Sequence, residues 1–273
     1  MQVSFEFFPP RTEQGRQTLK QVRSELSNIN PEYFSVTFGA GGSTQDATLE
    51  TVLDIQANDS VSVAPHLSCI GSEKRRIKQL LDQYIQQGIN RIVALRGDIP
   101  SGVRDIGDFH YANELVSFIR EEYNDYFHIE VAAYPETHPQ AKNISQDLTH
   151  FANKVKAGAN GAITQYFYNI DAYLRFVEDT QKLGVEVPIT PGIMPITNHT
   201  QLVRFSNLCG AEIPKWILSR LQLYDNDLES LRDFGLDVVN NLCQNLKSQG
   251  VESFHFYSMN RTEPSLTLAK NLL

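Results

Sequence analysis

Strand-like and helix-like segments alternate from one end of the chain to the other. Runs rich in β-branched and aromatic residues fall at 3–8, 33–38, 61–69, 91–97, 128–135, 161–167, 187–195 and 253–260. Between them apolar residues recur at helical spacing, as in Leu80, Leu81, Tyr84 and Ile85, or Leu148, Phe151 and Val155. Eight strands, each followed by a helix, predict an α/β fold of the (β/α)8 TIM-barrel type, and 273 residues suit one such domain. A doubly wound open sheet is the alternative, but it gives fewer evenly spaced units and usually carries a glycine fingerprint near its start. No linker or low-complexity run divides the chain, so residues 1–273 are read as a single domain. The segment 197–250 is long for one unit and predicts additional helices, one of them starting at Pro214.

Composition narrows the function. A net charge of −8 argues against a nucleic-acid surface, which needs a basic face. The three cysteines, Cys69, Cys209 and Cys243, have no metal-binding spacing and suit a reducing cytosol. The N-terminus runs straight into a strand without a signal-peptide pattern, and no apolar run approaches the roughly 20 residues of a membrane helix. A cytoplasmic enzyme or binding protein with no metal is the expectation.

In a barrel of this class the chemistry sits where the strands end. Glu6 stands in the aromatic run Phe5-Glu6-Phe7-Phe8, and burial there would raise its pKa toward that of a general acid. The plainer reading is a strand-end Glu paired with an Arg or capping a loop. His66 lies in an apolar strand, where a hydrogen-bonded core histidine is the commoner role. Asp98, after Arg96-Gly97, fits a turn or a helix cap as well as a site. Gln165 could serve only to bond a neighbouring loop. Together these ends would bring an acid, an Asp, an Arg, histidines and a Gln to one mouth. The loop Gly39-Ala40-Gly41-Gly42-Ser43-Thr44 sits between a strand and a helix, which suits an anion or a plain connection. It is not GxGxxG, and neither a phosphate-loop motif nor HExxH occurs.

Taken in order, the strand ends resemble the methylenetetrahydrofolate reductase family. The segments are Phe5-Glu6-Phe7-Phe8-Pro9-Pro10, Val36-Thr37-Phe38-Gly39-Ala40-Gly41-Gly42, Pro65-His66-Leu67, Leu95-Arg96-Gly97-Asp98, Ala132-Ala133-Tyr134-Pro135-Glu136, Gly158-Ala159-Asn160, Ile163-Thr164-Gln165-Tyr166-Phe167, Pro191-Gly192-Ile193 and His255-Phe256-Tyr257. The resemblance covers essentially the whole chain. It implies a barrel holding FAD without a dinucleotide fingerprint and using NADH or NADPH. The reaction would reduce 5,10-methylenetetrahydrofolate to 5-methyltetrahydrofolate by ping-pong turnover. Glu6 would open the folate ring as general acid, and Asp98 would act beside flavin and pterin. The matching FAD positions are Thr37, Phe38, Ala40, His66, Arg96, Gly97, Asp98, Tyr111, Ala112, Tyr134, His138, Ala141, Asp147 and Lys154. The matching folate positions are Asp98, Gln165, Gln201, Phe205 and Arg261. Asn153 departs from the basic residue often found beside the lysine. The length resembles the catalytic-only form without a regulatory domain, and the family implies a homo-oligomer.

Three other readings stand beside this one. A proline-dehydrogenase-like flavoenzyme would lack the Glu6 context, and a non-redox folate-binding barrel would be colourless. A non-catalytic scaffold would have little reason to keep Glu6, Asp98 and Gln165 together.

Overall fold

The computed structural model describes residues 1–38, 42–97, 107–224 and 226–273. The strands are β1 (Gln2–Phe7), β2 (Tyr33–Val36), β3 (Ser62–Ser68), β4 (Arg91–Leu95), β5 (His128–Ala133), β6 (Gly161–Thr164), β7 (Ile189–Thr190), β8 (Gly192–Ile193) and β9 (Ser253–Tyr257). The helices are α1 (Glu13–Ser27), α2 (Gly42–Asn58), α3 (Lys74–Gln86), α4 (Ala112–Tyr123), α5 (Ile144–Lys156), α6 (Ile170–Lys182), α7 (His199–Cys209), α8 (Lys215–Leu223), α9 (Leu228–Ser248) and α10 (Ser265–Leu272). All strand pairs are parallel, in the order β7-β6-β5-β4-β3-β2-β1-β9-β8. β7 and β8 are one extended stretch interrupted by Pro191. β7 pairs with β6 and β8 with β9, so the sheet meets itself and forms a barrel. Pro191 has no N–H for a ladder, but its carbonyl accepts from His255 N at 3.0 Å.

The period of two along each strand sorts residues into two environments. Outward residues such as Val3, Phe5, Phe7, Phe34 and Val36 join Leu19 and Leu26 of α1 in the main core. Phe5 stacks on Phe256 with centroids 5.5 Å apart, and Phe7 meets Phe34 edge-on at 5.1 Å. Inward residues form a smaller apolar layer of Tyr33, Ala64, Val93 and Ile163. Above that layer the interior turns polar. His255 is fully buried and bonds Ser4 Oγ at 2.7 Å and Ser35 Oγ at 3.3 Å. Tyr257 donates to the Thr164 carbonyl at 2.7 Å. A Cβ at Gly192 would lie 2.7 Å from the Tyr257 ring, so this glycine makes room for the tyrosine.

The expected extra helices are α7, α8 and α9, with Pro214 just before α8. Asn143, Asn169, Asn198 and Asp227 cap the N-termini of α5, α6, α7 and α9 by accepting backbone N–H bonds, which fixes where these helices start. Among the described residues no helix is long and apolar enough to cross a membrane.

Candidate active site

Glu6 lies near the C-terminal end of β1, facing the barrel interior between two histidines. Its Oε2 is 3.3 Å from His66 Nε2 on β3 and 3.7 Å from His255 Nε2 on β9. The His66 contact lacks hydrogen-bond alignment, so it is mainly electrostatic. Burial raises the Glu6 pKa, as the aromatic surroundings led one to expect. The charge of His66 and the contacts of both histidines outweigh burial, and the carboxyl is lowered to about 2. The expected raised pKa is therefore corrected: in the open site Glu6 is an anion. Its partners are also not the arginine of the plainer reading.

Around this group the backbone is tied down. The Glu6 carbonyl accepts from Ser258 Oγ at 2.6 Å. The Phe7 carbonyl accepts from Thr37 N at 2.9 Å. Phe8 exchanges two bonds with the Asn260 carboxamide. His255 also stacks on Tyr33, with centroids 5.8 Å apart. No role for His255, Ser4, Ser35, Ser258 or Asn260 follows from sequence reasoning alone. The available signal is the shared period: Ser4 and Glu6 alternate on β1 as His255 and Tyr257 do on β9, and their registers match.

A cavity of about 520 Å³ opens beside the ends of β4 and β5. Its walls include Arg96, Gly97, Tyr111, Ala112, Tyr134, His138, Ala141, Asp147 and Lys154, all expected to touch a cofactor. They also include His150, a less certain match in the sequence, and Asn113, Gln140 and Gln146, which were not expected. Gly97 has φ +83, and a Cβ there would collide with Ser68 Oγ. Arg96 donates to Gln140 and to the Gly97 carbonyl. Asp147 Oδ2 accepts from His138 N at 2.7 Å, so this carboxylate shapes the loop before α5. Tyr111 is 52% exposed, and its ring stacks on His150 with centroids 6.0 Å apart. Lys154 is enclosed, donates to the Ala132 carbonyl, and is pushed down to about 8 by burial. An enclosed ammonium short of negative charge, an exposed aromatic face and a volume in the usual range of small-molecule sites fit a phosphate-bearing aromatic cofactor. Thr37, Phe38 and His66 are not among the cavity walls. Thr37 and Phe38 continue from β2, and His66 sits against Glu6. Ala40 and Asp98 lie outside the described residues.

The positions expected to meet folate fall on three elements. Gln165 follows β6 and accepts from Tyr166 N at 3.0 Å. The hydroxyls of Tyr166 and Ser206 bond at 3.0 Å, tying the end of β6 to α7. Gln201 and Phe205 are one turn apart on α7 and share a face, Gln201 exposed and Phe205 partly buried. Arg261 is exposed in the turn after β9.

The fold and this end of the barrel define a (β/α)8 enzyme with a small-molecule cavity and, at the same end, a carboxylate set between two histidines. The model of the family described as "Methylenetetrahydrofolate reductase" matches residues 1–273. The 5,10-methylenetetrahydrofolate reductase of Pectobacterium carotovorum is 39% identical, covering 99% of this chain and 89% of its own length. The Escherichia coli enzyme of that name is also 39% identical, over 99% of this chain and 90% of its own. Among solved structures, an uncharacterised Clostridium thermocellum protein that binds two copies of 5-methyl-5,6,7,8-tetrahydrofolic acid shares the fold, with a TM-score of 0.65. It is 15% identical and covers 99% of this chain and 93% of its own. The chain belongs to the methylenetetrahydrofolate reductase family and is an oxidoreductase.

Proposed function

We propose that this chain reduces 5,10-methylenetetrahydrofolate to 5-methyltetrahydrofolate with electrons from NADH or NADPH, and that FAD is its bound cofactor. The two substrates would use one mouth in turn. The observation that carries the reading is the pairing, at one barrel end, of the Lys154-walled cavity with a carboxylate held between two histidines. FAD, when bound, supplies the two-electron relay between nicotinamide and folate.

Lys154 and Arg96 are the cations that would hold its phosphates, and Tyr111 with His150 offers an aromatic face. Phe205 would stack on the substrate ring, with Gln201 and Gln165 as hydrogen-bonding partners. Arg261 would pair with a substrate carboxylate. Asp98 would sit by the pterin and stabilise positive charge.

Glu6 moves the proton. Ring opening needs a proton on the leaving nitrogen and produces an iminium cation. In the open mouth Glu6 is ionised, so it must take up a proton before it can give one. Filling the mouth removes water. A carboxylate stripped of its water then holds a proton more readily. Glu6 thus becomes an acid when substrate covers it. The proton passes to the folate nitrogen, and the carboxylate left behind takes up another from solvent when the mouth reopens.

Rapid mixing of Glu6→Gln tests this. Flavin reduction by NADH should proceed as in the unaltered chain, while the folate half-reaction falls by at least about 100-fold. Equal loss in both half-reactions would refute the assignment.

A further inference from the structure

Glu6 is the last β1 residue in register with β9, opposite Tyr257. Beyond that pair the two strands no longer face one another, yet the chain around Glu6 is not free. The Asn260 side chain takes the place of a further strand residue. Its Oδ1 accepts from Phe8 N at 3.0 Å, and its Nδ2 donates to the Phe8 carbonyl at 2.9 Å. Ser258 Oγ donates to the Glu6 carbonyl at 2.6 Å and accepts from Asn260 N at 3.2 Å. One short turn therefore fixes the backbone from Glu6 through Phe8.

The turn adopts an unusual backbone to do this. Met259 and Asn260 both have φ +54. Left-handed conformation is uncommon outside glycine; asparagine tolerates it, but a methionine there needs its surroundings to hold it. Two such residues in succession swing the Asn260 carboxamide back onto Phe8. The same turn carries Arg261, whose N–H donates to the Ser258 carbonyl at 3.0 Å.

We propose that Asn260 is a positioning residue: its two-bond clamp on Phe8 aims the Glu6 carboxylate at the substrate and sets it relative to Arg261. This rests on the reading of Glu6 as the group that protonates folate. A carboxylate without the clamp keeps its chemistry but loses its aim, and misplacement of about 1 Å can cost on the order of 100-fold in rate.

The experiment compares Asn260→Gly, Asn260→Asp and Glu6→Gln, together with Glu6→Gln/Asn260→Gly, in both half-reactions. Asn260→Gly tolerates the left-handed backbone and removes only the clamp. It should slow the folate half-reaction by about 10- to 100-fold at saturating folate, with flavin reduction by NADH unchanged. Asn260→Asp keeps the acceptor for Phe8 N–H and loses the donor, so it should fall between. In Glu6→Gln, adding Asn260→Gly should cost little more, since the group being aimed is already gone. If Glu6→Gln loses the folate step while Asn260→Gly and Asn260→Asp keep it, the positioning role is overturned and the acid role stands. If Glu6→Gln keeps the folate step, the acid role fails and the positioning role fails with it. A parallel loss of both half-reactions in the Asn260 variants would reduce the clamp to general stability and also overturn the proposal.

Discussion

Glu6 and Lys154 show how one surrounding, burial, leads to different ends. Burial raises a carboxyl and lowers an ammonium. At Glu6 two histidines reverse the effect; at Lys154 the nearby Asp147 opposes it without overcoming it. Each has a pH consequence. The ionised form of Glu6 contributes stability that is complete above the ordinary value of 4.5 and is lost as pH falls through about 2. Thermal unfolding of Glu6→Gln should therefore show a flatter acid limb across that window, and an unchanged limb would contradict the histidine contacts. Lys154 needs its proton to bind an anion. FAD affinity should hold below pH 8 and weaken by up to about tenfold per unit above it, until the bound-state pKa is reached. A fluorescence titration that stays flat between pH 8 and 10 would contradict the phosphate role. The identity of Glu6 was legible in the sequence because an acid in an aromatic run is conspicuous. Its ionisation was not, because His66 and His255 approach it from strands far away in the chain.

At the level of elements, boundaries tell where pattern reading misleads. The apolar run at 187–195 reads as one strand, yet Pro191 divides it into two short pieces serving different neighbours. The run at 91–97 reads as strand to its end, but the ladder stops at Leu95 and Gly97 turns left-handed. Pro191 and Gly97 make these breaks through backbone geometry, which hydropathy does not register. Helix α1 is anchored differently. Arg23 is 2% exposed, 2.7 Å from Asp54 and 3.1 Å from Asp59. Removing Arg23 takes away a buried side chain and leaves the mostly buried Asp59 without its cation, while Asp54 stays solvated. Arg23→Ala should destabilise the fold by about 3 kcal/mol in chemical denaturation, and a loss under about 1 kcal/mol would mean that the pair is effectively solvated.

Across the whole molecule, strand–helix alternation pointed to the barrel, and the family resemblance named many of the cavity's walls. Among the described residues, the expected cofactor positions from Arg96 to Lys154 converge on one space because β4 and β5 are adjacent. The second layer was hidden. Ser258 and Asn260 act through side chain-to-backbone bonds across about 250 residues of sequence, and no local pattern announces such bonds. The central claim is that this barrel end binds a flavin and passes electrons from nicotinamide to folate. An anaerobic visible spectrum of the purified protein, supplied with FAD, then NADH, then methylenetetrahydrofolate, tests it most directly. The account predicts a flavin band that bleaches with NADH and returns with the folate. A protein that takes up no flavin, or whose bleached band does not return when the folate is added, would contradict it.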